Sequence, residues 1–416
     1  MKRLLKVTSM TGLLTLLRMS MGFIVAKVVA IYTGPTGMAM LGQVQSMVTS
    51  LNGIVNAPAG SGVVRYTAEN KDKGFPACAP WWRASIQWIL AISMLVVPIG
   101  VLFAPDIANL LVQDSSLSWI VIATVCCLPL SAVGTLCNSV INGQQLYRRY
   151  VGLGMLATLM SSAIMLSMIF AYNINGALLA AAVQSALIGL LLLILNLRQP
   201  WLKFSFWWGH TDNKNLKAIG GYMLMAITSA LTVPVSLIIV RSMLVDIVGW
   251  EAAGHWQAVW KISQVYLGVI TMSLSTYYLP RLSTLVGVEA IVDEINKTAK
   301  LIIPIIASLG IGVYVLRDTA ITLLYTKEFY EARELFSIQL LGDVLKIASW
   351  LYAYPMLSRG ATKWFVATEI ISSFLFVVFS YIFISNFGVK GAPIAYLVNY
   401  AIYFIFVFFN VKKFAK

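Results

Sequence analysis

A chain of 416 residues that is 59% hydrophobic and only 11% charged cannot cover a soluble globule, whose surface is ~25–35% charged. The surplus apolar side chains must face lipid, so this is an integral membrane protein. Its net charge of +14 follows membrane topology, as the placement of Lys and Arg shows, and needs no nucleic-acid partner.

In chain order, the opening "MKRLLK" and the apolar run behind it resemble a signal peptide. The run is longer than a ~7–15-residue apolar region, and no small-residue cleavage site follows; it is expected to be the first transmembrane helix. A bilayer core takes ~20 mostly apolar residues per helix. Runs of that kind predict twelve spans, near residues 8–31, 38–62, 84–104, 117–141, 151–171, 176–197, 218–244, 252–276, 298–316, 335–357, 362–384 and 392–411.

With the N-terminus in the cytoplasm, 21 of the 30 Lys and Arg fall in inside segments, among them Lys2, Arg3, Lys6 and Lys416. Four fall outside (Arg317, Lys327, Arg333 and Lys390) and five within spans. That bias sets both termini in the cytoplasm. Cys78, Cys126, Cys127 and Cys137 have neither zinc-site nor redox-pair spacing, and read as small core residues.

The two halves resemble each other. At an offset of 212, Gly37, Gly42 and Gln45 fall on Gly249, Gly254 and Gln257, and Asp106 falls on Asp318. Further on the offset drifts: "NGA" at 175–177 meets "KGA" at 390–392, and Gly143 meets Gly360. Six spans separate the copies, so the repeats are parallel, as in transporters that rock two bundles around a central site. The fold class expected is an all-α polytopic membrane protein with two parallel six-helix bundles around a cavity. The domains are 1–197 and 218–416, joined by a cytoplasmic linker, 198–217. In that linker Trp201, Phe204 and Trp208 suit either a short interfacial helix or an ordinary aromatic belt.

Seven ionisable residues lie inside spans: Arg18, Lys27, Arg241, Lys261, Asp343, Lys346 and Glu369. Each costs ~3 kcal/mol or more in hydrocarbon, and such residues commonly mark a pathway. Lys27 and Arg241 sit near span ends, where snorkelling, or for Arg241 pairing with Asp246, is an equal alternative to a place in the pathway. Arg18 begins ~15 Å into its helix and cannot escape so easily. Nine residues separate Arg18 from Lys27, which puts them on opposite sides of an ideal helix.

Gln339, Asp343, Lys346, Trp350 and Tyr354 share one face of the tenth span, where a local Asp343–Lys346 ion pair is the structural alternative. Gln257, Lys261, Gln264, Gly268, Thr271 and Ser275 line the eighth span; Gln45, Thr49, Asn52 and Asn56 line the second. Such stripes either glue helices together or wall a hydrated cavity. As a cavity the set is cationic, hydrogen-bonding and aromatic, with Trp256, Trp260, Trp350 and Tyr354 near the charges. It suits an anionic substrate with sugar hydroxyls. There is no Walker A loop, the two histidines, His210 and His255, form no cluster, and no outside loop is long enough for a catalytic domain.

"GFIVAKVVAIYTGPTGMAMLGQVQ", "SGVVRYTAEN" and the glycine-alanine entry to the last span resemble the Wzx-type lipid-linked oligosaccharide flippases. These O-antigen and enterobacterial common antigen translocases belong to the multidrug/oligosaccharidyl-lipid/polysaccharide (MOP) superfamily. The resemblance implies a non-enzymatic transporter of the bacterial inner membrane, without cofactor, moving an undecaprenyl-pyrophosphate-linked glycan by alternating access. It matches the family's first-helix cations to Arg18 and Lys27. Substrate-binding candidates are Arg18, Lys27, Gln45, Asn52, Arg241, Gln257, Lys261, Lys346 and Trp350. Asp343 and Glu369 are candidates for ion coupling, and membrane potential or a proton or sodium gradient for the driving force. A polysaccharide polymerase and a chain-length regulator are candidate partners of an expected monomer. The alternatives are a multidrug antiporter of the same superfamily, which needs an anionic pocket, and a membrane glycan polymerase or ligase, which needs a large outside loop.

Overall fold

The computed structural model describes residues 2–415, with side chains from Met10 onward except Met225, Ser275, Thr276 and Pro280. The side chains of Lys2, Arg3, Lys6 and Ser275, and all of Lys416, therefore lie outside the described residues.

Among the described residues every regular element is a helix, the economical way for a lipid-exposed backbone to satisfy its own polar groups. The first part of the chain forms α1 (Lys2–Asn56), α2 (Ser61–Asn70), α3 (Phe75–Leu102), α4 (Ala104–Val112), α5 (Ser118–Gly143) and α6 (Tyr147–Asn196). The short α7 (Phe204–Trp207) leads to α8 (Asn213–Ile247) and α9 (Trp250–Ser273). Then come α10 (Leu279–Thr284), α11 (Val288–Val315), α12 (Arg317–Leu324), α13 (Phe336–Ser358), α14 (Thr362–Phe387) and α15 (Gly391–Phe414). Among the described residues eight helical stretches are long and apolar enough to cross a membrane, so the protein is an all-α polytopic membrane protein. Of the helices of membrane length, α9 is outside those eight, because Glu251, His255, Gln257, Lys261 and Gln264 dilute its apolar residues.

Three of the eight stretches are far too long for one crossing. The 50 residues of α6 would reach ~75 Å at 1.5 Å per residue, against ~30 Å of hydrocarbon. Each is broken by a residue of positive φ: Gly34 before Pro35 (φ 61°) in α1, Asn173 (φ 50°) in α6 and Gly388 (φ 59°) between α14 and α15. Just after two of these breaks a glycine permits the chain to fold back. A Cβ on Gly176 would strike the Met168 carbonyl, and one on Gly391 would strike Phe383.

The breaks recur along the chain. Positive φ at Gly34, Gln145 and Asn173 is matched at Gly249, Gly360 and Gly388, in each case 215 residues later. Gly74 and Gly287, which precede α3 and α11, are 213 apart. The backbone counterpart of Gly249 is therefore Gly34 rather than Gly37, and that of Gly360 is Gln145 rather than Gly143. Backbone conformation, not glycine identity, is what repeats at those positions.

By contacts the chain separates into two compact units, residues 1–32 with 40–235, and residues 33–39 with 236–416. The division within α8 falls just past Pro234, where the helix lacks a backbone donor. The linker 198–217 belongs to the first unit. There Trp207 stacks on Trp82 at 4.9 Å and donates to the Trp201 carbonyl at 2.9 Å. Trp201 is buried while Phe204 and Trp208 are exposed, so the three do not form one face of a helix. Lys203 (ψ 130°) and Trp208 (ψ 141°) are both extended and confine α7 to four residues. The second unit has its own core around Tyr278, Leu282, Ile291, Ile295 and Leu351, where Tyr278 donates to the Leu351 carbonyl at 3.0 Å.

Candidate functional site

Most of the charged candidates converge in the second unit, on α8, α9 and α13. Gly249, at φ 107°, ends the turn after α8 and starts α9. At Gly254 the helix presses on the backbone of Pro35, a contact a Cβ would abolish. This close approach seats one side of α9, leaving Trp256, Gln257 and Trp260 buried, Lys261 half-buried and Gln264 exposed.

Arg241 enters from α8 and is 1% exposed. Its Nε donates to Gln257 Oε1 at 3.1 Å and its guanidinium lies 5.9 Å from the Trp256 ring centroid. It is thus anchored inward rather than snorkelling to the surface. Lys261 follows Gln257 by one turn on the same face. Two basic groups and an amide thereby share one strip of the unit.

The face expected on α13 forms. Gln339, Asp343, Lys346 and Tyr354 are buried and Trp350 is half-buried. Asp343 accepts from Ser263 Oγ at 2.6 Å, from the Tyr266 hydroxyl, from the Tyr396 hydroxyl at 2.9 Å and from Gln339 Nε2 at 3.4 Å. All four donors are neutral, so hydroxyls and an amide, rather than a direct lysine contact, hold this carboxylate. Lys346 Nζ instead lies within 5.7 Å of four ring centroids: Trp260 (5.6 Å), Trp350 (5.1 Å), Tyr396 (5.7 Å) and Tyr400 (5.6 Å). Glu369, on α14, is half-buried.

The candidates of the first unit are different in kind. Arg18 is exposed on α1, with its guanidinium beside Gly154, and Lys27 is half-buried. Gln45 is half-buried, and its carbonyl accepts from Thr49 Oγ1 at 2.7 Å. Asn52 Nδ2 donates to Ser185 Oγ at 3.1 Å and Asn56 Nδ2 to Ser131 Oγ at 3.1 Å. These two amides tie α1 to α6 and α5 in the way neutral polar residues join helices in lipid.

Ser263, Tyr266, Tyr396 and Tyr400 were not among the residues expected in the site. A signal existed, since Tyr396, Tyr400 and Tyr403 are spaced four and three residues apart on the last span and so share a helical face. Among the described residues no three His, Cys, Asp or Glu gather as a metal site would require.

The helical path with its paired breaks and the charged interior of one unit define a multi-pass protein with the fold of MOP-superfamily transporters. The inward-facing structure of a multidrug resistance MATE family transporter superposes with a TM-score of 0.72, at 15% identity, over 96% of this chain and 98% of that one. A MOP superfamily transporter from Pyrococcus furiosus, described as having reverse polarity of its binding pocket, superposes with a TM-score of 0.68 at 15% identity, over 99% and 96%. Residues 4–286 match the model of the family described as polysaccharide biosynthesis protein, and the chain belongs to that family. It is 29% identical over 405 residues to the Lipid III flippases of Escherichia coli K12 and Shigella flexneri, covering 96% of each chain.

Proposed function

We propose that this protein is a flippase of the bacterial inner membrane, a transporter rather than an enzyme. It moves an undecaprenyl-pyrophosphate-linked oligosaccharide from the cytoplasmic to the periplasmic leaflet for surface polysaccharide such as O-antigen. Support for the class comes from full-length relatives that carry the name of a lipid flippase. Support for the charge of the cargo comes from one observation, the Arg241–Gln257 pair with Lys261 one turn on. That strip has the sign and the donors a pyrophosphate needs.

Twelve crossings fit this reading: the eight stretches, three of them counted twice at their breaks, together with α9. The recurrence of the breaks supports two parallel repeats, and the Lys and Arg bias supports cytoplasmic termini. Cargo movement then follows alternate exposure of the cationic residues to the two sides of the membrane. A membrane potential negative inside favours outward movement of an anion by ~2.3 kcal/mol per charge per 100 mV. Asp343 and Glu369 are the carboxylates available for ion coupling.

The test is binding. Protein in nanodiscs is mixed with undecaprenyl pyrophosphate or with an organic cation such as ethidium, and native mass spectra are recorded for wild type, Arg18→Glu and Lys261→Glu. Retention of the pyrophosphate lipid by wild type and its loss in the variants supports the flippase. Selective retention of ethidium makes the protein a drug exporter instead.

A further inference from the structure

Lys346 was expected to meet the substrate, but its surroundings leave it no room to do so. The side chain is 7% exposed, and four aromatic rings stand around its ammonium at 5.1 to 5.7 Å. Rings disposed in this way attract a desolvated cation through their quadrupoles, and binding proteins use such a cage to hold an ammonium ligand. Here the cage is filled by the chain's own lysine.

The consequence falls on the rings. Trp260 and Tyr396 are buried, and the Tyr396 hydroxyl is fixed on Asp343 Oδ1 at 2.9 Å. Trp350 and Tyr400 are half-buried. A ring whose orientation is already set loses little entropy when a ligand lies on it.

We infer that Lys346 is a positioning residue, which holds Trp350 and Tyr400 as a stacking platform for a pyranose ring of the cargo's head group. The pyrophosphate is left to Lys261, which is half-buried one turn beyond Gln257. This inference rests on the flippase reading and assigns the sugar and the phosphate to different groups.

Two probes separate them: undecaprenyl pyrophosphate without sugar, and the same lipid carrying N-acetylglucosamine. Both are titrated by native mass spectrometry onto wild type, Lys346→Arg, Trp350→Leu and the double variant Lys346→Met/Asp343→Asn. The double variant removes both charges together, so that no buried carboxylate is left without its neighbour. Trp350→Leu keeps the question answerable should the double variant fail to fold. Wild type is expected to prefer the sugar-bearing lipid. The double variant and Trp350→Leu should lose that preference by about tenfold, the scale of one ~1.4 kcal/mol contact, with binding of the bare lipid held within about twofold. Lys346→Arg should retain it, since a guanidinium also binds ring faces. Equal loss of both lipids would make Lys346 a phosphate ligand and overturn the inference, as would an undiminished preference for sugar. Failure of wild type to bind either lipid would instead overturn the flippase reading itself.

Discussion

The two units treat buried polarity in opposite ways. In the first, the buried polar side chains among the described residues are neutral, and amides and hydroxyls join helices: Asn52 on Ser185, Asn56 on Ser131, and Ser50 on the Ala230 carbonyl at 2.9 Å. Small residues assist them, as at Gly134, which meets the backbone of Gly189. In the second unit the buried polar groups include full charges. Among the described residues the fully buried Asp, Lys and Arg are Arg241, Asp343 and Lys346, and all three are in that unit. A neutral interhelical hydrogen bond gains ~0.6 kcal/mol on average and at most ~1.7, whereas a charge at mid-membrane costs ~2.5–3.5 kcal/mol or more. Glue needs no charge. The chain bears the greater cost in the second unit and joins helices with neutral amides and hydroxyls in the first.

The largest expected effect breaks this contrast at its centre. Asp343→Ala strips Ser263, Tyr266 and Tyr396 of their acceptor and leaves Lys346 without the nearby carboxylate. Removing one partner of a buried charged set costs ~3–5 kcal/mol, to be read as a fall in the thermal unfolding midpoint in detergent. An unchanged midpoint would mean that the cluster is hydrated and not the core of the unit.

Next come the hairpin glycines. Gly176→Ala and Gly391→Ala each drive a methyl into the backbone of the preceding helix and should cost ~1–3 kcal/mol, as overpacking does. Similar losses in both variants would sharpen the equivalence of the two turns; a loss in one alone would break it.

The smallest effect belongs to the first unit. Asn52→Ala deletes one neutral tie and should cost ~0.6–1.7 kcal/mol, with substrate binding unchanged in the native mass spectra. Loss of binding there would move Asn52 from glue to site.

Much of this arrangement was legible in the sequence, because hydrocarbon imposes few solutions. Spans follow from length and hydropathy, and the face carrying Asp343, Lys346 and Trp350 follows from helical spacing. What escaped depends on contacts distant in sequence or on backbone conformation. The Arg241–Gln257 bond joins two helices across the turn at Gly249, and spacing within α8 alone cannot reveal it. Of the Asp343 donors, Gln339 shares its face on α13, but Ser263, Tyr266 and Tyr396 come from α9 and α15, and periodicity in α13 cannot reveal them. Trp201, Phe204 and Trp208 had helical spacing, but Lys203 is extended and turns Trp201 inward. Glycine matching paired Gly37 with Gly249, whereas the positive φ that recurs 215 residues on belongs to Gly34, a feature of backbone conformation that residue identity does not carry.

The most direct test of the central claim, that the cations of the second unit carry an anionic lipid-linked glycan across the membrane, is transport itself. Proteoliposomes loaded with undecaprenyl-pyrophosphate-linked N-acetylglucosamine would be assayed for sugar newly accessible to an external glycosyltransferase, with wild type, Lys261→Gln and Asn52→Ala compared. Rapid exposure is expected from wild type and Asn52→Ala, with a loss of at least about tenfold, one ~1.4 kcal/mol contact, in Lys261→Gln. Equal rates in all three proteins, or no exposure above protein-free vesicles, would contradict it.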